Sequence, residues 1–303
     1  MTAGIDAEAD GTPSVGNEPA AARAVWSVQW LTWQLCDSAL PTGGFAHSNG
    51  LEASVAAGAV SAADPHFLAQ FLKSCLANAV ALQVPMLRAV WDTGAGGSEG
   101  LLKAWLQADA LANAVITSHV ARRASAAQGC ALLRLACEAL LCTGAHGDAL
   151  TEFRKQLRLS QSANLSVQAR PVAPSSLQQH SGAAAKSSGE NLLVVWVWGH
   201  LAPAFGFVCL SAGIDAAAAS RMFLYTVARD VLSAANRLSL IGPMQGARLL
   251  ADISGYVDLL LLENASTAEC IGLPLEQQVA QVDPVLELLQ ASHEQLYSRL
   301  FNS

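Results

Sequence analysis

Apolar side chains recur every three or four residues along most of this chain, a spacing typical of helices that bury one face. Proline or an Asp-Pro pair stands near several of the starts, where a helix tolerates proline best. Gly-Gly and Gly-Pro pairs interrupt the pattern and mark turns. The pattern predicts helices over 25–35, 48–57, 64–90 with a bend at Pro85, 101–142 as one long helix or two shorter ones, 148–159, 215–240, 244–262 and 283–299.

Three segments depart from this pattern. Residues 1–24 are small, polar and acidic, and residues 160–190 are rich in Ser, Gln, Ala and Pro. Such segments bury too little apolar surface to offset the entropy of ordering, so we expect both to be disordered. The apolar run 192–198 has the length of a strand, but an isolated strand is unstable in a helical protein. We therefore expect a buried helix there.

The composition strengthens the helical interpretation. The chain is 52% hydrophobic and only 14% charged, and it is rich in alanine and leucine, which favour helices. We predict an all-α fold, a single helical-bundle domain of about ten helices over residues 25–303. The segment 1–24 would precede it, and the flexible insertion would interrupt it at 160–190. So little charge also predicts that some apolar surface stays exposed for a partner.

The charge and the cysteines narrow the class of protein further. A net charge of -7 argues against a nucleic-acid surface and against an anionic membrane surface, because both attract clustered lysine and arginine. The seven cysteines are scattered and form no CxxC pair, which is typical of reduced thiols in a cytosolic core. The N-terminus lacks the features of a signal or transit peptide, and no apolar run has transmembrane length. We expect a cytoplasmic protein that binds neither nucleic acid nor membrane.

Motifs that carry chemistry are missing from the sequence. It contains no HExxH, GxSxG, Walker or dinucleotide-binding pattern. Its seven histidines form no close pair at the spacing of metal ligands. We therefore predict no catalytic activity, no metal site and no cofactor.

The run from Asp37 to Glu52 is crowded with small and polar residues between two helical patterns. Its side chains leave open a hydrolase that uses Ser38 or Ser48 with His47, although such a triad is recognised by geometry and not by spacing. The alternative is that Asp37 and Ser38 bond to nearby backbone groups, while adjacent glycines set a tight turn. We favour this second interpretation, in which the run shapes a surface.

Three further features indicate contacts. Arg221 and Tyr225 lie four residues apart on one helix face, and both residue types are enriched at interfaces, although a solvated face fits them as well. Asp230 and Arg237, seven residues apart, are placed to pair with groups on a neighbouring helix. The apolar side chains of 296–301 stand where a chain would otherwise fray, so we expect this stretch to dock on its own core or on a partner.

Four stretches, in the same order, resemble the UreF family of urease accessory proteins. They are residues 37–52, Ala121–Gly129 with its Arg-Ala-Ser segment, residues 229–246 with Ser-Ala-Ala-Asn-Arg-Leu and Ile-Gly-Pro, and the tail sequence Leu-Tyr-Ser-Arg-Leu-Phe at 296–301. The resemblance implies an all-α homodimer with no generally accepted catalytic activity of its own. It also implies an adaptor that bridges a scaffold protein, UreD or UreH, and the nickel-carrying GTPase UreG to apo-urease for nickel insertion. The insertion at 160–190 departs from the shorter bacterial pattern.

The resemblance also implies roles for particular residues. Arg221 and Tyr225 match positions expected at the dimer contact. An alternative is a regulator that activates or gates the GTPase through an arginine finger, with Arg229 or Arg299 as the candidate. The positions expected to bind partners are Asp37, Ser38, Pro41, Thr42, Gly43, Gly44, Phe45, His47 and Ser48 in the first helical hairpin, and Tyr297, Arg299, Leu300 and Phe301 in the tail.

Overall fold

The chain forms α-helices joined by short turns in a computed structural model that describes residues 20–59, 65–140, 146–168, 196–266 and 273–303. Eleven α-helices of nine or more residues occur in these ranges, and no strand does, so the predicted all-α fold is confirmed. The helices are α1 (Ala20–Cys36), α2 (Leu51–Ala56), α3 (Pro65–Leu82), α4 (Val84–Ala95), α5 (Leu101–Val115), α6 (His119–Leu135), α7 (Gly147–Gln168), α8 (Leu201–Ser211), α9 (Ala216–Arg237), α10 (Pro243–Asp252), α11 (Ser254–Ser266), α12 (Leu275–Gln278) and α13 (Pro284–Ser292).

One hydrophobic cluster is built around α8, which is apolar on nearly every side and packs against α4, α5 and α6. Gly206 lets α8 approach α4 closely, because a Cβ there would collide with the carbonyl oxygen of Leu87. The indole ring of Trp105 stacks between Phe153 and Phe207, with ring centroids 3.9 and 4.2 Å away. Full burial of each such ring stabilises the fold by about 1.5–3 kcal/mol.

A second hydrophobic cluster lies between α3, α9 and the carboxyl-terminal helices. Leu72 and Leu76 of α3 meet Val231 of α9 within it, and Phe301 of the tail sequence is buried there as well. Helix α9 joins the two clusters, because it gives Phe223 to the first and other side chains to the second. The part of the chain that resembled a docking tail thus packs on the protein's own core.

Two predicted disordered segments are partly helical. Helix α1 begins at Ala20, so residues 20–24 are helical, in agreement with their alanine-rich sequence. Helix α7 continues to Gln168, so the start of the predicted insertion is helical too. The rest of both predictions, residues 1–19 and 169–190, lies outside the described residues.

The prediction of a buried helix over 192–198 is wrong for residues 196–198, which are not helical; residues 192–195 lie outside the described ranges. The carboxylate of Asp109 accepts hydrogen bonds from the backbone N–H groups of Trp198 (2.8 Å) and His200 (2.7 Å). The hydroxyl of Ser160 accepts another from Val197 N–H (3.0 Å). Side chains far away in the sequence therefore accept the backbone hydrogen bonds of this segment. The spacing of apolar residues cannot reveal such partners.

Several helix ends differ from the prediction for local reasons. Helix α2 starts at Leu51 because Gly50 adopts a φ of 89° that no ordinary helix start allows. The long helix over 64–90 is two helices, broken at Gln83, with Pro85 in the first turn of α4. Helices α5 and α6 are separate, as one of our two alternatives had it. Helix α13 ends at Ser292 and not near 299, and a short 3-10 turn follows.

The stretch His66–Ala95 is long and apolar enough to span a bilayer by length and composition, which corrects our expectation that no run reaches that length. Half of its most apolar window is buried in the bundle, as is common in core helices. Free thiols are found at each of the five described cysteines, as predicted: Cys36, Cys75, Cys130, Cys137 and Cys209.

Candidate functional site

The signature loop, residues 37–50, connects α1 to α2 and is held in one shape by local contacts. The Asp37 carboxylate accepts a hydrogen bond from Ala39 N–H (2.9 Å), as predicted for a group that bonds to nearby backbone. Gly43 has a φ of 85°, which leads the chain into a 3-10 turn at Gly44–Ala46. Gly44 lies directly against α9, because a Cβ on it would stand 2.5 Å from Oδ2 of Asp230.

Helix α9 supplies a mostly buried ion pair beneath this loop. Arg229 donates to Oδ1 of Asp230 from Nε (2.9 Å) and Nη2 (2.7 Å), and its Nη1 donates to the carbonyl oxygen of Cys36 (2.7 Å). Burial raises the pKa of Asp230, and the neighbouring Arg229 opposes that rise. These contacts fix the end of α1 to α9 and leave Arg229 only 16% exposed.

Arg237 joins the signature loop to the tail, which we define as residues 296–303. Its guanidinium carbon lies 3.7 Å from the ring centroid of Phe45 and 4.0 Å from that of Phe301. Its Nη2 also donates to the carbonyl oxygen of Phe45. Each cation–π contact contributes about 0.5–2 kcal/mol. The expectation that Asp230 and Arg237 pair with a neighbouring helix is wrong, because Asp230 pairs with Arg229 on α9 itself and Arg237 contacts the loop and the tail.

The tail is fixed on its other side by Glu52, in the first turn of α2. Oε1 of Glu52 accepts a hydrogen bond from Leu300 N–H (2.6 Å), and Oε2 accepts one from Phe301 N–H (3.2 Å). Oε2 also lies 2.7 Å from Nε2 of the fully buried His293. The amides of 300 and 301 therefore bond to a side chain of α2 and not within a continuation of α13.

Backbone contacts complete the junction between the loop and the tail. Asn302 N–H donates to Ala46 O (2.8 Å), and Ser48 N–H donates to Ser303 O (2.5 Å). The Nδ1 of His47 bonds to the hydroxyl of Ser303. Burial, followed by the charge of His293, lowers the pKa of His47.

The base of the tail is tied to α6, the helix that carries the second of the four stretches. Glu294 forms ion pairs with Nε2 of His119 (2.6 Å) and with Arg123. Hydrogen bonds from His119 and Arg123 hold the pKa of Glu294 at about 2. Glu287 of α13 accepts hydrogen bonds from the hydroxyl and the N–H of Thr117. All four stretches therefore meet in one region of the molecule.

The predicted partner-binding residues in this region fall into three groups by exposure. Gly44, His47, Ser48 and Phe301 are buried, so they shape the surface from beneath. Thr42 is half-buried. The others face solvent: Asp37, Ser38, Pro41, Gly43, Phe45, Tyr297, Arg299 and Leu300. Partner contact stays a prediction for each of them.

Four exposed side chains form what we call the composite surface: Phe45, Tyr297, Arg299 and Leu300. Tyr297 is fully exposed, Phe45 is 60% exposed and Leu300 is 57% exposed. Arg237 connects the two parts of this surface, because it contacts the ring of Phe45 and that of Phe301, the neighbour of Leu300. Large apolar side chains held in water by an ordered backbone are typical of a protein-binding surface.

The structure does not assemble the hydrolase that the sequence left open. The ring of His47 bonds to Ser303, and the buried hydroxyl of Ser48 has no hydrogen-bond partner among the described residues. A cavity of about 120 Å³ does lie beneath the loop, lined in part by Asp37, His47 and Asp230. Within the described ranges, no group of three or more His, Cys, Asp or Glu side chains is arranged to hold a metal ion.

Arg221 and Tyr225 lie at a second exposed place, on α9. Nε of Arg221 donates to Oδ1 of Asp258 on α11 (2.7 Å), and Tyr225 is 42% exposed. Leu259 and Leu262 of α11 are also exposed, by 58% and 64%. The dimer contact that the resemblance implied for Arg221 and Tyr225 stays a prediction.

Sequence reasoning missed Glu52, His293 and Glu294 as parts of the site. Along the sequence Glu52 only ends the run that begins at Asp37, and His293 has no other histidine at the spacing of a metal ligand. One signal was available for them, because all three stand next to or inside the stretches that resemble a family. Their partners lie too far away along the chain to be inferred from spacing.

Comparison with known proteins agrees with these observations. A sequence model of the UreF family matches residues 62–254. Urease accessory protein F of Arabidopsis thaliana is 32% identical over 281 residues, which cover 93% of this chain and 95% of that protein. Urease accessory protein F of Oryza sativa subsp. indica is 29% identical over 272 residues, covering 90% and 84%. Urease accessory protein UreF of Arthrobacter sp. (strain FB24) is 26% identical over 282 residues, covering 92% and 99%.

Proposed function

Because the chain belongs to the UreF family of urease accessory proteins, we propose that it is a non-enzymatic adaptor in urease maturation. In this proposal it acts in the cytoplasm as a homodimer. It bridges a UreD/UreH-type scaffold protein and a UreG-type GTPase to apo-urease, so that nickel is inserted and the active site matures. The protein itself supplies binding surfaces and no chemical step.

The composite surface is the observation that carries this proposal. Exposed side chains whose positions are set before the partner arrives suit an adaptor, since ordering them during binding reduces affinity. Tyr297 is fully exposed, yet His293 and Leu300 on either side of it are fixed through Glu52. Exposed aromatic and arginine side chains on a fixed backbone are typical of binding hot spots. We assign the scaffold partner to this surface.

A binding experiment tests that assignment. Tyr297→Ala and Leu300→Ala would each weaken binding to the purified UreD/UreH-type scaffold, measured by calorimetry, because both remove apolar area from the contact. We expect a loss of about tenfold or more for a hot-spot residue. Leu159→Ala is a matched control, since Leu159 is 45% exposed on α7. Unchanged affinity of both tail variants would contradict the assignment.

The alternative is a regulator that supplies an arginine finger to the GTPase, and the structure favours one of its two candidates. Arg229 is engaged by Asp230 and by the carbonyl of Cys36, so it is unsuited to reach a nucleotide. Arg299 is exposed beside Tyr297 on the composite surface. An arginine finger must project from the activating protein into the active site of the GTPase.

The rate of GTP hydrolysis by the UreG-type protein distinguishes the adaptor from the regulator that supplies an arginine finger. An arginine finger predicts that Arg299→Ala lowers hydrolysis in the assembled complex on the order of a thousandfold while assembly is intact. The adaptor predicts that hydrolysis per assembled complex is unchanged, even if assembly is weaker. Arg248→Ala serves as the control, because Arg248 is exposed on α10.

A further inference from the structure

The two ends of one surface loop meet at a single carboxylate. In the loop 293–301, His293 stands at one end and Leu300 and Phe301 at the other, and all three contact the side chain of Glu52. Tyr297, at the middle of this loop, is fully exposed. Glu52 itself is 8% exposed, in the first turn of α2. One buried side chain therefore closes the loop that carries most of the composite surface.

A carboxylate suits this position because it accepts several hydrogen bonds at once. Its two oxygens provide about four lone-pair sites, and here one oxygen serves Leu300 while the other serves Phe301 and His293. A hydrogen bond to a charged acceptor changes an equilibrium constant by about tenfold or more. The amide of Phe301 is buried, so without Glu52 it would lose its partner and gain no water.

The other contacts each hold one end of the loop: Glu294, near its start, forms ion pairs with His119 and Arg123 of α6. The backbone bonds to Ala46 and Ser48 involve Asn302 and Ser303, and Arg237 holds the ring of Phe301. These contacts hold the end of the tail, beyond the loop. Glu52 bonds to both ends of the loop, to His293 at its start and to Leu300 near its end.

We propose that Glu52 is the positioning residue of the composite surface. Its hydrogen bonds to His293, Leu300 and Phe301, which we call the clasp, hold both ends of the loop 293–301. They thereby set the fraction of molecules whose Tyr297 and Arg299 are placed to bind a protein partner. Glu52 is buried beneath the loop and does not touch the partner. This inference rests on the proposed function, in which the scaffold binds the composite surface.

The proposal makes a quantitative link between order and affinity. When only a fraction of molecules is competent to bind, the apparent dissociation constant rises by the inverse of that fraction. Loosening the clasp therefore lowers the apparent association rate by the same factor and leaves the dissociation rate unchanged, because the bound loop is the same in each variant. A residue that only contributed to overall stability would alter neither rate in a folded protein.

Three variants of the full chain test this link. Glu52→Ala removes every acceptor, Glu52→Gln keeps one acceptor oxygen, and Glu276→Ala is a control at an exposed glutamate of α12. Hydrogen exchange of the amides of 296–301 measures the clasp in the free protein. Association and dissociation rates with the purified UreD/UreH-type scaffold measure its effect on binding. Circular dichroism checks that each variant is folded.

We expect exchange of Leu300 and Phe301 to be at least about tenfold faster in Glu52→Ala, with an equal fall in association rate. Both rates of Glu52→Gln should fall between those of Glu52→Ala and the wild type, and Glu276→Ala should match the wild type.

Unchanged exchange in both Glu52 variants would show that Glu52 does not hold the loop, whether or not the variants bind the scaffold. Faster exchange with unchanged association overturns its role in binding. If Glu52→Ala does not fold, the Glu52→Gln result decides. Failure of the wild type to bind the scaffold would instead refute the proposed function, and the exchange data would still judge the clasp.

Discussion

At Gly44 the signature loop and α9 approach each other so closely that a side chain cannot be accommodated. A Cβ there would stand 2.5 Å from the buried Asp230 carboxylate, which Arg229 already fixes. Gly44→Ala should lower the free energy of unfolding by about 1–3 kcal/mol through overpacking, as measured by urea denaturation. Gly255→Ala is the control, since a Cβ in that part of α11 meets nothing within 4 Å. Equal stability of the two variants would contradict the close contact.

Two buried histidines make the stability of the protein depend on pH. Burial lowers the pKa of His47 and of His200 below the ordinary value of 6.5. In the unfolded chain they take up protons at about that value, so below pH 6.5 the unfolded state binds more protons than the native state. Stability should therefore be fully present above pH 6.5 and should fall as the pH drops towards the lower native pKa values.

Thermal unfolding between pH 7.5 and pH 5 measures this dependence. His47→Gln should reduce the decline in melting temperature, because Gln does not titrate and only His200 would remain. His66→Gln, at an exposed position of α3, should decline like the wild type. A His47→Gln variant with an unaltered pH profile would show that His47 does not contribute to it.

Individual residues were predictable from sequence where the partner is local. Asp215 and Asp283 cap α9 and α13 through amides three residues ahead, at 2.8 and 3.0 Å, as the capping pattern predicted. Gly43 turns the chain as expected. Glu52 shows the limit of this reasoning, because its main partners lie 241 to 249 residues away along the chain.

At the scale of elements, the segment before α8 depends on a single side chain of α5. Asp109 is 1% exposed and accepts the amides of Trp198 and His200. Asp109→Ala would leave two amides without partners, so we expect the free energy of unfolding to fall by about 3 kcal/mol or more. Asp92→Ala, at an exposed i,i+4 pair with Arg88, should change it by less than about 0.5 kcal/mol. A similar small effect for both variants would contradict this role of Asp109.

The presence of most helices was predictable from the sequence, but several helix ends depend on residues that are distant in the sequence. The 3.6-residue apolar pattern and the alanine content predicted most helices correctly. Some errors are local, such as the break at Gln83, and others occur where remote groups bond to the backbone, as Asp109 does before α8 and Glu52 does after α13. The candidate site followed the same rule. Its four stretches were recognised by resemblance, but their convergence became visible only in the structure.

At the scale of the whole molecule, α9 connects the two predicted contact regions. Arg221 and Tyr225 are exposed near its middle, while Arg229 and Arg237 hold the loop and the tail at its end. Both hydrophobic clusters pack against it. A dimer formed at Tyr225 would therefore place two composite surfaces in a fixed relation, one on each protomer.

Tyr225→Asp tests the dimer. The substitution places a carboxylate in the predicted contact, where burial of an unpaired charge is costly, so we expect monomers in size-exclusion chromatography with light scattering. Tyr297→Asp is a matched control, because it alters an exposed tyrosine on the composite surface and should leave the dimer intact. An unchanged dimer for Tyr225→Asp would contradict the assignment.

The contact between Glu52 and Leu300 joins residues that are 248 positions apart. Closing a loop of this length costs more entropy than a local contact, so the contact depends on the helices between its ends to bring α2 and the tail together. The composite surface therefore exists only in molecules whose fold is complete from α2 to the tail. In the proposed function, a partner that selects this surface would therefore bind completely folded molecules in preference to folding intermediates.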